Sequence, residues 1–211
     1  DVIKNKKPLI IEKPLTLSSV DAQILYDLAF KNKINVKVNH VYLYHPLYRF
    51  LKDSVRDISS LKSIYAISGN YGPFREDISP LWDWGPHDIA MRIDFMKEMP
   101  IEIEAKFIKN KNLSNPNIFN TSVTLTFKKN KYAELNFGNL MELKRRYFQL
   151  NYEHSSFIFD PINFNKIKIK NKINSINNQI KESSRLLNNN YSPLEILVQE
   201  FTDDIRNSRF E

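Results

Sequence analysis

The sequence predicts an α/β segment followed by an α+β domain that is dominated by a large, mostly antiparallel sheet. The first 42 residues follow a strand–helix–strand pattern, and residues 123–152 alternate apolar and polar side chains with no helical pattern between them. An apolar fraction of 42% in 211 residues is enough to form a core. We therefore predict two domains, residues 1–42 and 43–211.

The first domain has the pattern of a βαβ unit. An apolar run at residues 8–11 predicts a buried parallel strand, and residues 34–41 alternate as a second strand does. Between them, Ser18 can cap a helix. That helix carries one apolar stripe, formed by Val20, Ile24, Leu25, Leu28 and Ala29. Since a βαβ unit belongs to a parallel sheet with more strands than two, we expect the rest of that sheet to lie outside this sequence.

The second domain begins with helices and continues mainly in strands. We predict helices at about residues 45–55 and 86–96, with Pro86 in the first turn of the second one, and a strand at residues 64–68. Three alternating stretches then predict an antiparallel sheet with one polar face. Their apolar positions are Val123, Leu125 and Phe127, then Ala133, Leu135 and Phe137, then Phe148, Leu150 and Tyr152.

Two helices are predicted to end the chain. The first, at about residues 171–187, is rich in asparagine and carries Ile173, Ile176 and Ile180. The second has clearer signals, because Ser192 can serve as N-cap, Pro193 suits the first helical position and Glu195 completes a capping box.

The charge and composition limit the function classes. A net charge of +7 permits an anionic partner, but the lysines are scattered, and residues 166–172 alternate lysine with isoleucine as a strand with one charged face does. We favour a solvated face and expect no nucleic-acid partner. No run of about 18 apolar residues and no signal peptide is present, so we predict a cytoplasmic protein without a membrane partner. The absence of cysteine excludes disulfides and thiolate nucleophiles.

Lys13 is the first candidate for chemistry, within Glu12-Lys13-Pro14 directly after the first strand. Open α/β sheets bind their ligands at the carboxyl ends of parallel strands, and Pro14 restricts the backbone of Lys13. A surface lysine without a chemical role is the alternative.

Asp83 and His87 are the second candidates. They are four residues apart, so their side chains can lie on one helix face. His87 could act as a general base, since its pKa lies near working pH, with Asp83 orienting it or binding a substrate hydroxyl. In the alternative reading, Asp83 caps the helix and His87 is a partly buried structural histidine.

The remaining candidates are weaker. Arg75 could bind a phosphate or carboxylate, although an exposed turn arginine is the commoner case, and Tyr44 could reach a sugar ring. The four glycines form no G-x-G-x-x-G turn for a dinucleotide pyrophosphate. The histidines show no compact ligand spacing, so we predict no metal site.

Taken together, these motifs resemble the Gfo/Idh/MocA family of NAD(P)-dependent oxidoreductases along the whole chain. The resembling residues are Glu12-Lys13-Pro14, His45-Pro46-x-Tyr48-Arg49, Asn70-x-Gly72-Pro73-x-Arg75 and Trp82-Asp83-x-Gly85-Pro86-His87-Asp88. The resemblance implies a remnant of a Rossmann-type nucleotide-binding domain, followed by a substrate domain whose large sheet often makes oligomer contacts. It therefore implies a homo-oligomer formed through the antiparallel sheet.

The resemblance also implies the activity and the site. It suggests hydride transfer between NAD or NADP and a sugar or nucleotide-sugar hydroxyl, with Lys13, Asp83 and His87 as catalytic residues. Glu12, Lys13 and Pro14 would lie at the cofactor, and Arg75 and Tyr44 are the substrate-binding candidates. Because the glycine fingerprint is absent, we expect a C-terminal portion of such an enzyme with incomplete function. The alternative is a non-catalytic module that oligomerises or binds a partner through its sheet.

Overall fold

The structure is a computed structural model that carries side chains. It describes residues 2–55, 60–109, 115–163, 166–171, 180–182, 191–207 and 209. These residues fall into two compact units: the first contains the chain up to His45 together with the C-terminal helix, and the second begins at Pro46. The C-terminal helix joins the first unit because it packs on a short 3-10 helix, Val41–Tyr44, whereas the predicted boundary after residue 42 assigned it to the second domain.

The first unit contains the predicted βαβ pattern. Strand β1, Leu9–Ile11, pairs in parallel with β2, Val36–Val38, and helix α1, Ser19–Asn32, connects them. The predicted cap is confirmed, because the Ser18 side chain accepts a hydrogen bond from the backbone N–H of Asp21.

The apolar stripe of α1 is only partly buried in the described structure. Ala29 is the buried residue of the helix, whereas Val20 is 67% exposed and Ile24 is 58% exposed. Phe30, outside the predicted stripe, is 75% exposed and stacks on Tyr26. The helix therefore has the predicted N-terminal cap while several of its large apolar side chains stay exposed.

The last helix, α4, Pro193–Arg206, completes the first unit. The predicted capping box is present between Ser192 and Glu195. Asp204 accepts a hydrogen bond from the ammonium of Lys37 on β2 at 2.9 Å, and Leu197 and Phe201 are buried. An ion pair and apolar packing thus fix α4 within this unit.

The second unit is built on an eight-stranded sheet, as the fold class predicted. Its strands are β3 Ser63–Tyr71, β4 Glu102–Lys109, β5 Phe119–Thr126, β6 Tyr132–Gly138, β7 Leu140–Asn151, β8 Ser155–Phe159, β9 Lys168–Asn171 and β10 Ile180–Glu182. The spatial order is β10-β9-β8-β7-β3-β6-β5-β4. Strands β3 and β6 pair in parallel and the other neighbours pair antiparallel, which confirms a mostly antiparallel sheet.

Two helices contribute to the core of the second unit, α2, Pro46–Ser54, and α3, Pro80–Met96. Tyr48 on α2 is buried, and its ring packs edge-on against three phenylalanines with centroid distances of 5.5 to 6.3 Å. These are Phe95, Phe148 and Phe159. Among the described residues, no helix is long and apolar enough to cross a membrane.

One sequence-based assignment in this unit lies mostly outside the described residues, and another is wrong at its start. The helix predicted at about residues 171–187 includes residues 172–179 and 183–187, which lie outside the described part. Of the rest, Asn171 ends strand β9 and Ile180–Glu182 form β10, which pairs antiparallel with β9, so these residues are not helical. Helix α3 begins at Pro80, not at Pro86, because Ser79-Pro80 supplies its N-terminus.

Candidate active site

Lys13 lies where β1 ends, at the carboxyl edge of the small parallel sheet. Its side chain is half-buried, and the Lys13–Pro14 peptide bond is cis. His40 follows the neighbouring strand β2 at the same edge. Burial lowers the pKa of His40, and the positive charge of Lys13 lowers it further. The lysine ammonium therefore lies close enough to the imidazole for their charges to interact.

Asn39 ties the two strand ends together beside Lys13. Its side-chain amide donates a hydrogen bond to Glu12 Oε1 at 2.7 Å, and its backbone N–H donates to the carbonyl of Ile11 at 2.8 Å. Asn39 is only 8% exposed. Asn39 was not among the residues predicted from the sequence, although its position just after the second strand of a βαβ unit indicates a ligand site.

Asp83 and His87 both lie on α3, in the second unit, and both are half-buried. The backbone N–H of Asp83 donates to the carbonyl of Ser79 at 3.0 Å, so Asp83 belongs to the first turn. Ser79 occupies the N-cap, which corrects the alternative reading of Asp83 as the cap. Four residues along a continuous helix place His87 one turn after Asp83 on the same face.

A buried ion pair anchors α3 directly beside His87. Asp88 is 1% exposed and accepts a hydrogen bond from Nη1 of Arg146, on β7, at 2.9 Å. The hydroxyl of Ser68, on β3, donates to the second carboxylate oxygen. Burial raises the pKa of Asp88, whereas the Arg146 charge and the two hydrogen bonds act to lower it. This contact holds one turn of α3 against the centre of the sheet.

Two further contacts fix the same turn of α3. The Cζ atom of Arg146 lies 5.7 Å from the ring centroid of Trp84, so the guanidinium packs over the indole. A Cβ atom added at Gly85 would lie 3.1 Å from the Phe137 ring on β6, so only glycine allows this close approach without a shift. The turn of α3 around His87 is therefore held against strands β3, β6 and β7 of the sheet.

Arg75, the substrate-binding candidate of the second unit, is partly committed to a neighbour. Its Nη2 atom lies 2.7 Å from Asp77, and its Nε atom donates to the same carboxylate at 3.0 Å. These hydrogen bonds raise the pKa of Arg75, and the Asp83 charge acts in the same direction. The main partner of Arg75 is therefore Asp77, and Asp83 contributes less to its pKa.

Tyr44, the other substrate-binding candidate, belongs to the first unit. It closes the short 3-10 helix, and the ammonium of Lys37 lies 6.0 Å from its ring centroid. The structure therefore groups Glu12, Lys13 and Pro14 with Asn39 and His40 in the first unit, and places Asp83 and His87 on one helix of the second unit, to which Arg75 also belongs. Among the described residues, no group of three or more histidines and carboxylates could hold a metal ion.

Each of these two groups can carry chemistry of its own. A lysine ammonium can donate to a developing or existing oxygen anion, and a histidine can take or give one proton near neutral pH. The arginine and the carboxylate next to that histidine can bind the hydroxyl groups of a polar substrate.

The similarity of this chain to known proteins is found by comparing folds. No protein-family model matches the sequence. No curated protein matches it either.

Solved structures do match the fold over nearly the whole chain. One is a provisionally assigned oxidoreductase from Magnetospirillum magnetotacticum MS-1, with 26% identity and a TM-score of 0.84 over 97% of this chain and 66% of that one. Another is UDP-N-acetylglucosamine 3-dehydrogenase GnnA from Acidithiobacillus ferrooxidans, with 16% identity and a TM-score of 0.83 over 99% and 65%.

A third match is KijD10, a 3-ketoreductase from Actinomadura kijaniata whose structure was solved with TDP-benzene and NADP. It shows 15% identity and a TM-score of 0.77, over 99% of this chain and 65% of that one. The chain thus spans just under two thirds of the length of these structures. It has the fold found in this part of several oxidoreductases and dehydrogenases.

Proposed function

We propose that this chain is the substrate-handling portion of a Gfo/Idh/MocA-type oxidoreductase that uses NAD or NADP. The substrate would be a sugar or nucleotide sugar, oxidised or reduced at one hydroxyl-bearing carbon. The observation that carries the proposal is the Asp83–His87 pair, one turn apart on a helix that the buried Asp88–Arg146 contact holds in place. The fold match to a nucleotide-sugar dehydrogenase and a ketoreductase supports the substrate class.

The nicotinamide, when bound, would accept or return the hydride. Of the residues present, Lys13, Glu12 and Pro14 suit the nicotinamide end of the cofactor, because they lie where parallel strands end. None of the glycines of this chain forms the turn that holds a pyrophosphate. We therefore assign only the reacting end of the cofactor to this chain.

In the oxidative direction, His87 would remove the proton of the substrate hydroxyl while hydride leaves the same carbon and the carbonyl forms. Asp83 would orient the imidazole or bind a neighbouring hydroxyl. Lys13 would donate to the substrate oxygen and stabilise its negative charge. In reduction, His87 would return the proton to that oxygen. Arg75 and Tyr44 would bind more distant groups of the substrate.

The test is turnover of UDP-N-acetylglucosamine with NAD⁺ or NADP⁺ by a form of the protein that also carries a dinucleotide-binding half, followed by absorbance of the reduced cofactor. We expect His87→Asn to lower kcat by roughly 100-fold or more, because a positioned general base contributes that much or more. His154→Asn, at an exposed histidine, is the matched control and should leave turnover unchanged. Equal and measurable turnover by His87→Asn and the unsubstituted form would contradict the role of His87.

A second candidate function is a non-catalytic module that oligomerises or binds a partner through its sheet. The observation in its favour is the set of large apolar side chains that strand β4 exposes. This alternative predicts a defined oligomer by light scattering and no quenching of NADH fluorescence at any concentration. Quenching by a monomeric chain would count against it.

A further inference from the structure

The chain between β3 and α3 carries Arg75 and leads into the first turn of α3, where Asp83 lies. Residues 72–79 belong to no helix and no strand, and we call them the Arg75 segment. A binding side chain on such a segment is placed accurately only where other parts of the fold hold its backbone. The contacts that hold this segment therefore bear on what Arg75 can do.

The Arg75 segment begins with a fixed turn. Gly72 has a φ of +68°, a conformation that favours glycine, and it turns the chain away from the end of β3. The backbone N–H of Gly72 donates to the carbonyl of Asn139 at 2.9 Å. Asn139 is only 3% exposed and lies between β6 and β7. A buried residue of the sheet thus holds the first residue of the segment.

A second contact reaches the segment next to Arg75. The side-chain amide of Asn117 donates to the backbone carbonyl of Glu76 at 2.9 Å, across 41 positions of the sequence. Asn117 is half-buried and lies two residues before β5. This hydrogen bond therefore ties the backbone beside Arg75 to the start of a strand of the sheet.

Asn139 also holds Asn117, so the two contacts belong to one network. The side-chain amide of Asn139 donates to the carbonyl of Asn117 at 2.8 Å, and its side-chain oxygen accepts from the N–H of Phe119 at 3.0 Å. The side chain of Asn115 accepts from the N–H of Asn117 at 2.8 Å. Since both polar ends of the Asn139 side chain are engaged, its orientation is fixed, and it fixes Asn117 in turn.

The ion pair of Arg75 cannot replace this support. Its partner Asp77 belongs to the same segment, and both side chains are exposed. The pair therefore orders the segment internally without tying it to the sheet. The link to the sheet is made by Asn117 and Asn139.

We propose that Asn117, held by Asn139, is a positioning residue for substrate binding, because it fixes the backbone that presents Arg75. The inference rests on the proposed function, in which Arg75 binds a part of the substrate distant from the reacting carbon. Such a contact is the same in the bound substrate and in the transition state. Loss of the support should therefore raise KM and leave kcat nearly unchanged.

Asn117→Ala tests this role in a form of the protein that also carries a dinucleotide-binding half, with UDP-N-acetylglucosamine as the substrate. We expect KM to rise by about 3–10-fold, the effect of one lost hydrogen bond, and kcat to stay within about twofold. A purely structural defect would instead reduce the active fraction, so the apparent kcat would fall at a constant KM.

Asn136→Ala is the matched control. Asn136 is also half-buried, and its side-chain amide donates one hydrogen bond, at 3.0 Å, to Glu134 of the same strand. The control removes an equivalent hydrogen bond that does not reach the Arg75 segment, so KM should stay unchanged. An equal rise of KM in both variants would overturn the proposal.

Arg75→Gln shows whether the effect passes through Arg75. In this background, Asn117→Ala should raise KM by less than about twofold further, because the side chain that it positions is already lost. Effects that multiply fully in the double variant would mean that Asn117 acts independently of Arg75, and would overturn the proposal.

Backbone ¹⁵N order parameters separate this inference from the proposed function, because they require no turnover. In residues 74–77 they should fall from about 0.85 to below about 0.6 in Asn117→Ala, and they should not change in Asn136→Ala. Unchanged values in Asn117→Ala would overturn the positioning itself. Lower values with an unchanged KM would overturn its role in substrate binding. An unsubstituted form that shows no turnover would overturn the proposed function, and this role with it, whatever the order parameters are.

Discussion

The two compact units support their candidate residues in different ways. In the second unit, Asp83 and His87 lie on a 17-residue helix that an ion pair and a glycine contact hold on an eight-stranded sheet. In the first unit, Lys13 follows β1, a three-residue strand that pairs in parallel with the equally short β2. The helix between them, α1, has Ala29 as its buried residue. The second unit thus has its own core, whereas the first relies on helix caps, polar contacts such as Lys37–Asp204, and one packed helix.

This contrast can be measured separately in each unit. Both tryptophans of the chain, Trp82 and Trp84, lie on α3, so their fluorescence reports on the second unit alone. Far-UV circular dichroism reports on both units. A change seen by dichroism without a change in fluorescence therefore belongs to the first unit.

The largest effect is expected at the buried ion pair. Asp88→Ala leaves the Arg146 guanidinium buried without its carboxylate, so the free energy of unfolding should fall by about 3–5 kcal/mol. Urea unfolding followed by tryptophan fluorescence measures this. The matched variant Asp77→Ala removes an exposed partner of Arg75 and should change nothing measurable. Equal stability of the two variants would contradict the anchoring role of Asp88.

Two isoleucine substitutions, one in each unit, compare how tightly the apolar residues of the units are packed. Ile64 on β3 is fully buried, and Ile64→Ala should lower the free energy of unfolding by about 2–5 kcal/mol. Ile24→Ala on α1 makes the same chemical change at an exposed residue and should stay within about 0.5 kcal/mol. Denaturant titrations by fluorescence and dichroism measure both. A large loss at Ile24 would show that α1 is packed after all.

Helix capping gives a smaller difference. Ser192 closes a capping box at α4, so Ser192→Ala should cost about 1 kcal/mol in the dichroism-detected transition. The side chain of Ser79 makes no capping hydrogen bond at α3, which is held by packing. Ser79→Ala should therefore have a smaller effect, and the reverse order would refute this distinction.

The smallest effect concerns the charge of Lys13. Burial and then Lys13 lower the pKa of His40, so its proton affinity is lower in the folded than in the unfolded chain. The folded chain therefore loses stability relative to the unfolded chain as the pH falls from about 6.5 through the pKa of folded His40. Lys13→Met should raise the pKa of His40, which histidine NMR titration measures. The pKa of His45 is lowered by burial alone and should not change. An unchanged His40 pKa would show that Lys13 does not act on it.

Local signals in the sequence predicted the elements whose ends depend on neighbouring residues. Ser18 and Ser192 were identified as caps because a cap involves only three or four successive residues. The start of α3 was missed because Pro86 disfavours the interior of a helix. In the structure α3 continues through Pro86, and Gly85 next to it packs against Phe137 of the sheet.

The candidate site could be predicted only in part. The motifs led to Lys13, Asp83 and His87 by their order along the chain, and the catalytic roles of these residues stay predictions. Asn39 and Arg146 were not found, because neither belongs to a motif. Their importance comes from partners that the fold brings close, 27 residues away for Asn39 and 58 residues away for Arg146.

The sequence by itself determined the short-range features: the caps, the strand alternation, the motif order and the general fold class. The tertiary structure alone decided three others: the parallel pairing of β3 with β6, the burial of Asp88 with Arg146, and the exposure of α1 and β4. The physical reason is that capping and periodicity depend on neighbours in the chain. Burial and strand pairing depend on which distant surfaces meet.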